Sequence, residues 1–178
     1  MFNFFKKSKN IEEKCEEVHV VRITPAHRVF TMEYARRLYG TVTDPDQIPI
    51  TDETHERIVR IHPDSVLGLE DAQGNLLSWS VCLPTTRELA DLFCEGTITE
   101  KELFERTPVG ATYDALYLCS IITLPEFQRK GYASTLLREG IARFPEANTY
   151  LFAWAWSEEG KALIRFTERN GHTIRLRK

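Results

Sequence analysis

Residues 121–140 read IITLPEFQRKGYASTLLREG, and this stretch decides the fold. An apolar, β-branched run is followed by Pro125, by a turn with two cations and a glycine, and by an amphipathic run. The first run is typical of a buried strand and the last of a helix. The stretch therefore predicts a strand, a tight turn at residues 128–133 and a helix that begins near the turn.

The turn at residues 128–133 has the composition of an anion site. Helix starts leave N–H groups without intrahelical partners and carry partial positive charge, so a bound phosphate satisfies both. Gly131 permits close approach of a ligand, and Arg129 and Lys130 add charge. The stretch is neither GxxxxGK[ST] nor GxGxxG, which argues against a nucleotide P-loop and a dinucleotide site. Taken by itself, the stretch favours an ordinary βα turn that carries solvated charges.

The rest of the chain predicts an α/β fold with a mixed central sheet. Thr24, Asp52, Thr99 and Ser157 are predicted helix N-caps, with Thr99 and Glu102 forming a capping box. The predicted strands are 18–24, 65–70, 76–84, 113–124, 148–156 and 172–178. The predicted helices are 25–39, 52–61, two within 85–108, one after the turn to about 144, and 157–171.

The amino-acid composition limits the classes of function that are plausible. The 178 residues are 42% apolar and 28% charged with a net charge of −3, which indicates a globular protein and gives no electrostatic argument for nucleic acid. Residues 1–17 are predicted to be a flexible tail, and 18–178 a single domain with a helical insertion at about 85–110. No metal-binding spacing and no membrane-spanning run is found, and cysteines without CxxC spacing predict reduced thiols in the cytoplasm.

The flanks of the turn carry a family resemblance. The order is a strand (Ile121–Leu124), then Pro125, then Gln128, Gly131 and Ala133 in the pattern [RQ]-x-x-G-x-[GA]. This order resembles the signature of the GNAT-type N-acetyltransferases. The later ALIRFTERNGHTI loosely resembles the ending of that family. The resemblance implies a mixed central β-sheet flanked by helices, with splayed strands that form an acyl-CoA slot.

The same resemblance implies acetyl-CoA as cosubstrate and gives its binding residues. The pantetheine arm would pair with the strand before the turn, at Ile121, Ile122 and Thr123. The pyrophosphate would lie on the turn, at Gln128, Arg129, Lys130, Gly131, Tyr132, Ala133 and Ser134. Arg138 is a further candidate for the 3′-phosphate, or a solvated helix charge.

The catalytic positions depart from the family pattern. Thr167 stands where the family usually has the tyrosine that protonates the leaving thiol, and Gly160 where it usually has asparagine. Tyr117 is a candidate catalytic residue, since many members of the family carry a glutamate base on this strand. The alternative is that Tyr117 is an aromatic residue of the core. Asp114 is a candidate base or a strand-end cap.

Other polar and aromatic residues have two interpretations each. Cys119 could form an acyl-enzyme or could be a packed structural thiol. Trp154 and Trp156 would lie either in the hydrophobic core or in one wall of an acceptor pocket. His55, His62 and His172 are candidate bases or surface residues. The segment 85–109 is either an acidic lid over the acceptor or a solvated helix face. Its acidic residues are Glu88, Asp91, Glu95, Glu100, Glu102 and Glu105.

These observations favour a cytoplasmic, acetyl-CoA-dependent N-acetyltransferase. Its acceptor would be an amine, on a small molecule or a protein, with no nucleic-acid or membrane partner and a monomeric or homodimeric state. The alternative is a catalytically silent acyl-CoA-binding module, which the departures at Thr167 and Gly160 favour. A plain interaction domain without CoA would require the turn and its flanks to be coincidental.

Overall fold

The structure is a computed structural model that describes residues 17–39, 44–155 and 157–178. The predicted tail (1–16 of it), Gly40 to residue 43, and Trp156 lie outside the described residues. The strands are β1 (Val18–Arg22), β2 (Val66–Asp71), β3 (Leu76–Thr85), β4 (Ala115–Thr123), β5 (Leu151–Ala153) and β6 (Ile174–Leu176). The helices are α1 (Pro25–Tyr39), α2 (Asp52–Ile61), α3 (Arg87–Cys94), α4 (Glu100–Arg106), α5 (Tyr132–Ala142) and α6 (Glu158–Arg169).

The described strands form one six-stranded sheet in the order β1-β2-β3-β4-β5-β6. The first four are antiparallel neighbours, whereas β4–β5 and β5–β6 are parallel. Parallel neighbours need a crossover, and α5 and α6 supply the two crossovers. The predicted mixed sheet flanked by helices is confirmed.

Strands β4 and β5 separate after a short pairing. They pair only at Leu116↔Leu151 and Tyr117↔Phe152, although β4 continues to Thr123. Within the part of the chain that the structure describes, the second half of β4 therefore has no strand beside it on the β5 side. The predicted strand 148–156 is correspondingly shorter, because its regular pairing covers only Leu151–Ala153.

Side-chain caps fix the helix starts. Thr51, rather than the predicted Asp52, caps α2, because its hydroxyl accepts the N–H of Thr54 and the carboxylate of Asp52 lies inside the first turn. The predicted capping box of α4 is present, and Ser157 caps α6 as predicted. These caps matter for the site because α2 and α4 both reach the cavity described below.

The core lies on both faces of the sheet. On one face α5 packs closely, and a Cβ on Gly140 would lie only 3.2 Å from the Cys82 sulfur. On the other face α3 places Phe93 against Tyr117, with ring centroids 5.1 Å apart. Tyr117 and Phe152 stack at 5.1 Å, just where β4 and β5 separate.

A β-bulge interrupts β4 beside this point. Val81 pairs with Ser120 and Cys82 with Leu118, so Cys119 is the extra residue. The expected strand is buried on both faces, but residues 118–121 are only partly buried. The reason is that the strand here borders both the opening toward β5 and a cavity.

Candidate active site

The turn after β4 has the backbone of an anion site. A short 3-10 helix, Pro125–Phe127, leads to Arg129 with φ 64° and to Gly131 with φ 86°, and Gly131 is the N-cap of α5. Residues 128–131 are exposed, and no atom lies within 4 Å of the position that a Cβ on Gly131 would take. The start of α5 therefore faces open space, where a phosphate can approach its N–H groups.

Charge near the turn comes from exposed side chains. Arg129 and Lys130 are exposed, and the Lys130 ammonium lies 5.4 Å from the centre of the Phe127 ring. Arg138 is also exposed, and its guanidinium lies 3.9 Å from the Glu139 carboxylate. Long exposed cations of this kind can pair with phosphates without being fixed in advance.

The backbone of β4 presents alternate residues to the opening. The N–H of Leu124 donates to the carbonyl of Leu77, and the Ser78 hydroxyl donates to the carbonyl of Ile122, so the backbone groups of Ile122 and Leu124 face β3. Because an antiparallel ladder alternates, the backbone groups of Ile121 and Thr123 face the other way. The Gln128 side chain donates to the Thr123 carbonyl at 3.3 Å, which agrees with that direction.

A cavity of about 150 Å³ lies against β3 and β4. It is lined by α1, residues 47–51, α2 and the adjoining faces of β3 and β4, and it opens to solvent. Most lining side chains are apolar; they include Met32, Ala35, Ile48, Ile50, Trp79, Ile122 and Trp154. The Trp154 side chain is thus a wall of the cavity, whereas Trp156 lies outside the described residues.

A polar cluster forms one end of this cavity. Glu100, the first residue of α4, accepts the Tyr117 hydroxyl at 2.7 Å on Oε1 and the Ile48 N–H at 3.2 Å on Oε2. The Cys119 sulfur lies 3.8 Å from the same Oε1. Ser120 and Tyr39 complete the cluster. Groups from α1, α4 and β4 thus meet where β4 separates from β5.

Burial sets the protonation of this cluster. It raises the pKa of Tyr117 well above its usual value, and the nearby Glu100 carboxylate acts in the same direction. Burial and Glu100 likewise raise the pKa of the Cys119 thiol. The pKa of Tyr39 is also raised, mainly by burial. At neutral pH these three groups are therefore protonated donors around one carboxylate.

His55 is a further titratable group on the cavity wall. It projects from α2, and burial lowers its pKa, with Arg28 acting in the same direction. A lowered pKa leaves the imidazole neutral at pH 7, in a form that can accept a proton. His62 does not line the cavity; its ring packs at 4.7 Å against Phe144.

Two of the predicted catalytic residues lie outside the cavity. Asp114 is exposed, and its carboxylate accepts the Arg87 N–H at 2.7 Å, at the start of α3. Thr167 is buried in α6, and its hydroxyl donates to the Leu163 carbonyl at 2.9 Å. Tyr117 is the predicted catalytic residue that does line the cavity.

Glu100 is the site residue that sequence reasoning did not single out. In the sequence it is one of several acidic residues in a predicted lid or solvated face. The usable signal was its place at the start of a capped helix, since a capping box fixes where the first turn points. Its pairing with Tyr117 is a long-range contact that spacing along the chain does not reveal.

Family comparison agrees with this architecture. The sequence profile described as "Acetyltransferase (GNAT) family" matches residues 84–172, which run from the end of β3 to just past α6 and include the turn. The chain therefore belongs to the GNAT acetyltransferase family. No curated protein matches the sequence.

Solved structures share the fold at low identity. The loading GNATL domain of CurA from Lyngbya majuscula is 12% identical with a TM-score of 0.51, over 71% of this chain and 58% of that one. Arabidopsis thaliana Naa50, solved with the bisubstrate analogue CoA-Ac-MVNAL, is 12% identical with a TM-score of 0.50, over 86% and 82%. The aminoglycoside N-acetyltransferase AAC(6′)-Iy, solved with CoA, is 11% identical with a TM-score of 0.52, over 90% and 91%.

Metal clusters and membrane-spanning helices are absent from the described residues. No group of three or more His, Cys, Asp or Glu is arranged to hold a metal ion in residues 17–39, 44–155 and 157–178. No described helix has the length and apolarity needed to cross a bilayer. The expectation that the reaction needs no metal remains a prediction.

Proposed function

We propose that the protein transfers an acetyl group from acetyl-CoA to an amine held in the cavity between α1, α2 and the sheet. The observation that carries the proposal is the position of the polar cluster. It lines the cavity at the β4–β5 separation, and β4 leads from there directly into the turn. Acetyl donor and acceptor can then meet at one strand from its two sides.

The proposed donor site uses the turn and the open half of β4. The pyrophosphate would bind the N–H groups from Arg129 to Ser134, because the Gln128 N–H already donates to the Pro125 carbonyl. The pantetheine amides would pair with the backbone of Ile121 and Thr123. The open space at Gly131 and the outward direction of these backbone groups support that fit.

The test is in two stages. Calorimetric titration with acetyl-CoA, and with CoA lacking the 3′-phosphate, measures the donor site, and micromolar binding of about −8 kcal/mol is expected. Release of free thiol on adding amines then measures turnover. Absence of acetyl-CoA binding would refute the proposal.

A catalytically silent acyl-CoA-binding module is the second candidate. The observation that favours it is Thr167, whose hydroxyl is bonded within its own helix and stands where the family usually has tyrosine. A thiol has a pKa of about 8.5, however, so thiolate can leave near neutral pH without a positioned acid. Tight binding of acetyl-CoA with no thiol release from any amine would favour this second candidate.

A further inference from the structure

The lining of the cavity is mostly apolar, and its negative charge is confined to the polar cluster. Among its described lining residues, Glu100 is the single carboxylate, and there is no lysine or arginine. The other lining side chains are uncharged or apolar, and they include Met32, Ala35 and Trp79 as well as the hydroxyl of Thr54. A ligand that fills the cavity would therefore meet the Glu100 carboxylate and otherwise apolar groups mixed with neutral polar ones.

The size of the cavity limits that ligand. An apolar protein cavity of roughly 150 Å³ holds benzene, which has about six heavy atoms. The present cavity has the same volume, about 150 Å³, and it opens to solvent, so one end of a slightly longer molecule can extend outward. A compact body of about six to ten heavy atoms fits inside, whereas most of a sugar or peptide chain would have to lie outside the cavity.

Glu100 is held ready for a cation. One oxygen accepts Tyr117 and the other accepts the Ile48 N–H, which fixes the carboxylate between α4, β4 and the loop before α2. None of the ion pairs among the described residues includes Glu100, although it is half-buried. A partly desolvated carboxylate without a countercharge is favoured by binding an ammonium group. A carboxylate has about four acceptor positions, so room for one more donor remains.

We infer that the acceptor is a small primary amine with a single positive charge on an aliphatic or aromatic body, and that Glu100 binds its ammonium group. This inference rests on the acetyltransferase function proposed above and names its substrate class. An amine whose second charge lies inside the cavity is disfavoured, because Glu100 is the single carboxylate among the described lining residues. Glu100 is then the residue that touches substrate, and Tyr117 is a positioning residue that acts through it.

The same contact supplies the proton transfer that the reaction needs. The ammonium group gives one proton to Glu100, and the neutral amine nitrogen attacks the thioester carbon to form the C–N bond. The C–S bond then breaks, and the second proton of the nitrogen goes to the leaving sulfur. Glu100 returns its proton to water, so the sum is amide, CoA thiol and one released proton.

The test compares substrates and variants on the full chain. The probes are 2-phenylethylamine and butylamine as monoamines, spermidine as a polyamine, and a tetrapeptide with a free N-terminus. The variants are Glu100→Gln and the control Glu105→Gln, an exposed carboxylate on the same helix that does not line the cavity. His55→Gln tests the other proton acceptor on the wall. Each protein is assayed for thiol release and, separately, for acetyl-CoA affinity by calorimetry.

The expected result is a preference for the monoamines of about tenfold or more in kcat/KM. Glu100→Gln should lower that kcat/KM about a hundredfold with acetyl-CoA affinity unchanged, and Glu105→Gln should match the parent protein. Preference for spermidine or peptide, equal behaviour of the two glutamine variants, or a loss confined to His55→Gln would overturn the inference while leaving acetyl transfer intact. Failure of acetyl-CoA binding, or binding without turnover of any amine, would instead overturn the proposed function and the inference with it.

Discussion

The Tyr117 hydroxyl donates a 2.7 Å hydrogen bond to Glu100, joining the middle of β4 to the first residue of α4. Tyr117 is 1% exposed, so its ring is fixed by packing against Phe93 and Phe152. A rigid donor of this kind holds the carboxylate in one orientation. The position of an acidic side chain in the cavity thus depends on a tyrosine in the core.

Tyr117→Phe should therefore impair the acceptor side of the reaction alone. With one donor removed, Glu100 is held less firmly, and we expect kcat/KM for the amine to fall about tenfold, mainly through KM. Acetyl-CoA affinity should not change. Steady-state kinetics with varied amine, together with calorimetry, measure both.

Tyr113→Phe is the matched control for that substitution. Tyr113 is also buried, and its hydroxyl donates to the Pro108 carbonyl at 2.8 Å, but it does not line the cavity. It should lose about 1 kcal/mol of unfolding free energy and keep its kinetic constants. Equal kinetic losses in the two variants would mean that Tyr117 has only a structural role.

Gly131→Val should weaken donor binding for two separable reasons. A β-branched residue at φ 86° is strained by roughly 2 kcal/mol, and its side chain would enter the space proposed for phosphate. We expect acetyl-CoA affinity to fall by at least about tenfold, a loss of about 1.4 kcal/mol in calorimetry.

Gly74→Val is a control that separates the effect of backbone strain from the loss of the phosphate site. Gly74 has φ 79° and, like Gly131, has no atom within 4 Å of the position that a Cβ would take, but it lies in the β2–β3 hairpin. Both variants should melt at similarly reduced temperatures, and only Gly131→Val should lose acetyl-CoA. Retained affinity in Gly131→Val would place the phosphate elsewhere.

Cys119 should not carry the acetyl group. Burial and the Glu100 carboxylate raise the pKa of its thiol, so the nucleophilic thiolate is scarce at neutral pH. We expect intact-mass spectrometry after incubation with acetyl-CoA to show no added acetyl mass at this residue. Cys119→Ala should keep kcat within about threefold, and a stable adduct that this variant lacks would indicate an acyl-enzyme route instead.

Stability should depend on pH through Asp64. Arg22 donates two hydrogen bonds to this buried carboxylate, which lowers the pKa of Asp64 below its usual value. A lowered folded-state pKa means that the stabilisation is complete above the unfolded pKa of about 3.9 and is lost as the pH falls through the folded value. Because the Arg22 side chain is 59% exposed and screened, we expect about 1 kcal/mol.

Asp64→Asn makes this dependence measurable. Urea unfolding should show the variant to be less stable than the parent at pH 7, with the difference shrinking below about pH 4. Glu146→Gln, at an exposed position, is the control for a lost surface charge. A difference that stays constant down to about pH 2.5 would show that the pair does not stabilise through ionisation of Asp64.

Local patterns explain why most of the fold was predictable. Strand and helix positions follow from period and caps, as the capping box at Thr99 shows. Asp52 was wrongly predicted as the cap of α2 because adjacent Thr and Asp are both good caps, and only the bond from Thr54 distinguishes them. The end of β5 at Ala153 also could not be predicted, since apolar alternation continues beyond the point where its neighbour departs.

In the candidate site, too, the part formed by consecutive residues could be predicted and the part formed by distant residues could not. The turn from Gln128 to Ser134 is contiguous in sequence, so its pattern could be recognised. Glu100 is separated from its partner Tyr117 by 17 positions and from Ile48 by 52, so only tertiary packing unites them. Asp114 illustrates the converse, because a carboxylate near a strand end looks alike whether it caps a helix or abstracts a proton.

The separation of β4 from β5 also affects how the protein behaves when its ligands are scarce. An unpaired strand edge inside a sheet is a template onto which a foreign strand can add, and hence a route to aggregation. A pantetheine arm that paired with Ile121 and Thr123 would occupy this edge. By mass action, a ligand at about a hundred times its Kd stabilises the folded state by about 2.7 kcal/mol. The cellular lifetime of such a protein would then follow the supply of acetyl-CoA, as the donor completes the sheet on which it reacts.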